Sequence, residues 1–164
     1  MNLEPPDTMY ISAAIGWLEL GNLTEAKAEL EHVTQTEHPA VLEVRWQLLA
    51  KEQSWEEALK VATRLVAAAP DCADGWLHRA YASRRAVNGT VEKAWELLLP
   101  AAELFPKEPV IPYNLACYAC QMGKTKEARR WLRQAVRVGN AEVIKKMALE
   151  DTDLEPMRKE IEEM

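Results

Sequence analysis

Along this chain an alanine recurs at Ala26, Ala58, Ala94 and Ala128, each time near the start of a short amphipathic stretch. The intervals are 58 − 26 = 32, 94 − 58 = 36 and 128 − 94 = 34. Pro39, Pro70 and Pro106 close the first three stretches, 31 and 36 residues apart. A unit this short cannot bury its own apolar face, so the copies must cover one another. That requirement limits the chain to a stack of small supersecondary units.

The clearest copy runs from Ile111 to Gly139. Leu115, Ala116 and Ala119 share one helical stripe, with Tyr118 beside them. Ala128, Leu132 and Ala135 form a second stripe after the turn at Met122-Gly123-Lys124. Arg129, Arg130, Arg133 and Arg137 lie off that stripe, toward water. The small residues Ala116 and Ala128 mark where the two helices can approach closely, and Gly123 suits a chain that turns through positive φ.

Earlier copies repeat these places. Tyr10 and Trp76 supply an aromatic early in the first helix, and Ala14, Ala80 and Ala116 supply its small residue. Leu30, Leu98 and Leu132 are bulky in the second helix, and Val33, Leu65, Ala101 and Ala135 are apolar near its end. A helix–turn–helix period near ~34 residues with these residues resembles the tetratricopeptide repeat (TPR), bacterial type, over roughly Thr8 to Gly139. The resemblance implies an all-α fold: a right-handed superhelical solenoid of about four repeats (8–39, 40–70, 71–106 and 109–140) with a C-terminal cap over 141–164, in a single domain 1–164. Departures from the pattern are specific. Trp46 stands where a small residue is wanted, so its repeat should cross more widely or its indole should turn toward the groove. About two extra residues near Val87-Asn88 lengthen the third turn, and Pro100 should kink the following helix. Capping pairs are expected at Asn22/Glu25 and Ser54/Glu57, and a cap at Asp71. The ending Asp153-Leu154-Glu155-Pro156-Met157-Arg158 resembles the acidic tails that follow the last repeat in bacterial members, and it should cover the final apolar face.

Charge and cysteine usage narrow the function. The net charge of −6 disfavours nonspecific nucleic-acid binding. No apolar run approaches the ~18 residues of a membrane span, and the start has no basic-then-apolar signal segment. Three cysteines, two of them in one helix, fit a reducing compartment, so a cytoplasmic location is expected.

No nucleophile–base arrangement, phosphate-binding glycine loop or metal-ligand spacing occurs, so neither enzymatic activity nor a cofactor or metal is expected. Cys117-Tyr118-Ala119-Cys120 is a C-x-x-C, and a redox or metal role is the alternative it raises. Its mid-helix position makes two ordinary packed thiols the simpler reading.

What the resemblance implies instead is a concave groove, lined by the first helices, that binds a peptide segment of a partner in an adaptor or scaffold. The places carried over are Glu43, Gln47 and Lys51; Leu77, Tyr81, Arg84 and Arg85; and Tyr113, Asn114, Cys117 and Gln121. Tyrosine offers flat area with a polar tip, and arginine grips carboxylates, so the expected ligand has apolar anchors and an acidic stretch. Ile11, Ile15 and Leu18 are expected to make the N-terminal end of the groove apolar and exposed, the alternatives being cover by the lead-in Met1 to Asp7 or by a second copy in a homodimer. A secretion-type chaperone is a further alternative within the binding class. Against all of these stands the plain reading that Arg84 and Arg85 are a solvated helix end.

Overall fold

The computed structural model describes residues 3–164, all of it helix and turn. Helices follow in the order α1 (Asp7–Glu19), α2 (Leu23–Glu31), α3 (Pro39–Lys51), α4 (Trp55–Ala68), α5 (Ala73–Arg85), α6 (Val91–Leu98), α7 (Ala101–Leu104), α8 (Val110–Gln121), α9 (Thr125–Val138) and α10 (Ala141–Glu150). A 3-10 turn (Thr152–Met157) and α11 (Arg158–Glu162) end the chain. They group into two compact units, Met1–Asn88 and Gly89–Met164. The division falls in the long turn that the extra residues near Val87-Asn88 create.

In the first unit α1 packs on α2, α3 on α4 and α4 on α5. In the second, α8 packs on α9, and α6 and the 3-10 turn pack on α8. The alanine markers explain the pairing. Ala26, Ala58 and Ala128 have 0% exposure, as do Ala14 on α1 and Ala116 on α8, which face Ala26's and Ala128's helices; Ala80 and Ala94 are likewise fully buried, each within its own unit. A methyl group on each side lets the backbones approach, and any larger residue would overpack the crossing. Leu30, Leu98 and Leu132 and the apolar residues Val33, Leu65, Ala101 and Ala135 are buried beside them.

The turns follow the same period. Gly21 (φ 76) and Gly123 (φ 73) adopt the left-handed conformation five residues before their marker alanines (26 − 21 = 5, 128 − 123 = 5). Gln53 (φ 58) does so five residues before Ala58, without the freedom of glycine. Pro100 interrupts the second helix of the third hairpin: α6 stops at Leu98 and α7 resumes at Ala101. Asn22 caps α2 by accepting from the Glu25 amide at 3.2 Å. Two expected caps fail. The Ser54 side chain makes no capping bond, and α5 starts after Cys72, so Asp71 stands outside its cap position.

Asp7, the first residue of α1, ties that helix to a distant loop. Its side chain is buried and accepts from the Thr34 amide (3.0 and 3.1 Å), the Thr34 hydroxyl (3.0 Å) and the Gln35 amide (2.7 Å). One carboxylate thus ties the first turn of α1 to the loop that leads into α3. The Thr34 amide bond, ahead of the others, holds the Asp7 carboxyl below its ordinary value of 3.8. A depressed folded value stabilises the fold above the ordinary value, and the gain is lost as pH falls through the folded value. Asp7→Asn is therefore expected to melt several degrees lower at neutral pH. Thermal scans across pH should show the gap to the parent narrowing below pH 3.8.

One expectation is corrected here. Ile11 and Leu18 are not an exposed apolar end: they are 6% and 3% exposed and belong to a core cluster with Val41, Val44 and Leu48. Only Ile15 remains at the surface. The neighbouring α3 covers α1 on that side, and Leu3 packs against the same cluster. The first two residues of the expected lead-in lie outside the described residues.

Candidate functional site: the first-helix faces

On α3, Glu43, Gln47 and Lys51 recur every fourth residue and share a face; on α5, Leu77, Tyr81 and Arg85 do the same. The structure brings most of these together through Trp46, whose indole the sequence left between a wider crossing and the groove, and through His78, which the sequence did not single out. The indole of Trp46 lies flat on the His78 ring, 3.5 Å between centroids at 7°. His78 Nε2 meets both oxygens of Glu43, at 2.9 and 3.1 Å, and the Gln47 amide donates to Glu43 at 3.0 Å. Burial alone would push the Glu43 carboxyl up, but the bonds from His78 and Gln47 outweigh it and hold the group below its ordinary range.

Tyr81 continues this cluster outward. Its ring meets the edge of Trp46 at 6.3 Å and of Trp55, from the start of α4, at 5.6 Å. The Arg85 guanidinium lies over Tyr81 at 3.4 Å and over Trp55 at 5.6 Å, and it donates to the Tyr81 carbonyl at 3.3 Å. Tyr81 is 38% exposed, so the ladder opens to solvent. Lys51 is exposed, while Leu77 and Arg84 are half-buried. The signal that would have found His78 and the partner of Trp46 is the repeat spacing itself: 78 − 43 = 35 and 81 − 46 = 35 place these pairs on adjacent first helices. Trp46 resolves its own misfit by turning its ring onto α5.

The α8 positions have a different fate. Tyr113, Cys117 and Gln121 also share one face, and the chain's own C-terminal segment lies on it. The Tyr113 hydroxyl donates to Asp151 at 2.9 Å, the Cys117 thiol approaches the same oxygen at 3.5 Å, and the Gln121 amide donates to the Asp153 carbonyl at 3.1 Å. Tyr113 and Cys117 are 6% and 3% exposed. Asn114 bonds back to the Val110 carbonyl of its own helix at 2.9 Å. Burial first, and then neighbouring Cys117 and Asp151, drive the Tyr113 hydroxyl far above its ordinary range, so it remains a proton donor.

The thiols of the C-x-x-C sit in surroundings unlike those of a reactive cysteine. Desolvation, then the charges of Asp153 and Asp151, raise the Cys120 thiol above its ordinary value. A redox thiol needs the opposite, a site that favours thiolate. Cys120 is expected to label slowly with iodoacetamide at neutral pH, and Asp153→Asn should speed it; labelling as fast as a free thiol in the parent would revive the redox alternative. Among the described residues no group of three or more His, Cys, Asp or Glu side chains is placed to hold a metal ion. Among them also, no helix is long and apolar enough to cross a membrane.

No protein-family model matches this sequence, and no curated protein matches it. Solved structures do match in fold. The chain is similar to "MamA RS-1 ArsTM double mutant" with a TM-score of 0.72 at 20% identity, over 84% of this chain and 77% of that one. It is similar to TTC0263, a thermophilic TPR protein in Thermus thermophilus, with a TM-score of 0.69 at 18% identity, over 96% and 100% of the two chains. A third is "MamA MSR-1 C2", with a TM-score of 0.65 at 17% identity, over 98% and 97%. The buried marker alanines, the left-handed turns at Gly21, Gln53 and Gly123 and these matches agree: the chain has the helical-repeat fold of the tetratricopeptide proteins.

Proposed function

We propose that this chain is a non-catalytic protein-interaction module that holds a segment of a partner protein on the α3/α5 face. The observation that carries the reading is the open ladder of Trp46, Tyr81, Trp55 and Arg85. Aromatic rings offer area at low entropic cost, and a stacked guanidinium is already oriented for a carboxylate. Leu77 would take an apolar anchor, and Lys51, Arg84 and Arg85 an acidic stretch; Gln47 would offer hydrogen bonds. The α8 face supports the same reading from within the molecule. There a polypeptide segment, the chain's own Asp151 and the 3-10 turn after it, already occupies the first-helix positions Tyr113, Cys117 and Gln121. In this reading the protein works in the cytoplasm, where its three free cysteines stay reduced.

The test is selection of peptides from a displayed random library against the purified protein. Selected peptides should share an aromatic or aliphatic anchor beside acidic residues. Tyr81→Ala/Arg85→Ala, with an unchanged melting curve, should weaken them about tenfold or more. A library that yields no binder, or binders indifferent to this variant, would overturn the α3/α5 assignment.

A further inference from the structure

One face of α9 carries Lys126, Arg130, Arg133 and Arg137, at intervals of 4, 3 and 4 residues. All four are exposed and fall in one narrow stripe about 16 Å long, at 1.5 Å per residue. With Arg129 and Gln134 they border an open hollow of about 440 Å³. The opposite face of α9 is core, through Ala128, Leu132 and Ala135.

Within the helix, among the described residues, only Arg130 of the four has a local partner, the Trp131 ring at 5.0 Å. Cations three and four residues apart repel one another. Arg137 in the last turn suits the helix dipole, but Lys126 in the first turn opposes it. The chain as a whole is acidic, at −6, yet among the described residues no carboxylate forms an ion pair with Lys126, Arg130 or Arg137.

The margin of the stripe is already in use. Glu160 of α11 grips both the Nε and Nη2 of Arg129 and lies in the field of Arg133. Glu163 lines the same side. The chain thus already sets one carboxylate, Glu160 at the C-terminal end, on a cation of α9, and the remaining cations extend beyond that contact. Their charge and helical spacing identify the complement: carboxylates three and four residues apart on one helix face. We infer that the stripe of Lys126, Arg130, Arg133 and Arg137 is a second binding surface, and that its occupant is an acidic helix of a partner protein.

The probe is a labelled alanine-based helical peptide whose glutamates recur at the intervals of the stripe. Its control has the same composition with glutamates spread around the helix. Fluorescence anisotropy at low ionic strength should show the periodic peptide binding about tenfold tighter than its control. Lys126→Gln/Arg130→Gln/Arg137→Gln should lose about tenfold in affinity for it. This variant leaves the Arg129–Glu160 pair and the α9 core untouched. Should it fail to fold, the single substitution Arg130→Gln, measured the same way, carries the test. Equal binding of the two peptides, or binding unchanged in the variant, would overturn the inference. So would preferential binding of a short DNA duplex lost in the same variant, which would make the surface a phosphate binder. A salt-sensitive dimer of the protein itself, lost in the variant, would also overturn it, by assigning the stripe to a second copy.

Discussion

Leu154→Ala is expected to destabilise the second unit by about 2–5 kcal/mol, because it empties a fully buried leucine site. Leu154 is 0% exposed, and Met157 and Ile161 beside it in sequence are 1% and 0% exposed. The C-terminal segment therefore anchors by apolar side chains, and the polar contacts of Asp151 and Asp153 set its register on α8. For a chain of this size the loss corresponds to a fall in melting temperature of about 10 °C. Glu155→Ala, one residue on and exposed, should shift it by no more than about 0.5 kcal/mol. Hydrogen exchange should localise the Leu154→Ala effect to α8, α10 and the 3-10 turn. Equal costs for the two substitutions would mean that the segment does not hold the α8 face. Tyr113 and Cys117 would then be open to a partner.

Trp46→Ala should cost about 2–4 kcal/mol, although it installs the small residue that a tetratricopeptide repeat ordinarily has there. The indole packs against the cluster of Leu42, Val61 and Leu65, and it is the platform for His78 and the edge partner of Tyr81. Removing it leaves a void beside Leu42 and frees both rings. Its buried Nε1 finds no hydrogen-bond partner among the described residues, so the polar atom of the side chain contributes nothing favourable. Trp46→Phe discards that atom and keeps most of the ring, and should cost about 1 kcal/mol or less. Chemical denaturation of the three proteins checks the order. If alanine proves no worse than phenylalanine, the platform role is wrong. The Tyr81 ladder would then stand without Trp46.

What the sequence determined by itself is the repeat. Alanines at a near-constant interval, proline closures and the turn glycines Gly21 and Gly123 are local signals, and each has one physical solution. Only a methyl group permits the close helix crossing, and only a left-handed residue turns the chain so tightly. The break at Pro100 was legible for the same reason, since a missing amide is a property of the residue alone. Tertiary structure decided where the side chains of the candidate site went. Ile11 and Leu18 have groove spacing, yet α3 covers them, because burial depends on the neighbouring helix. Tyr113 and Cys117 have the same spacing as Tyr81, yet the distant Asp151 reaches them while Tyr81 stays open. Asp7 lies in the first turn of α1, yet its carboxylate is tied to Thr34, 27 residues away. Periodicity fixes which face of a helix a residue occupies; what lies against that face is set by chain folded back from far along the sequence.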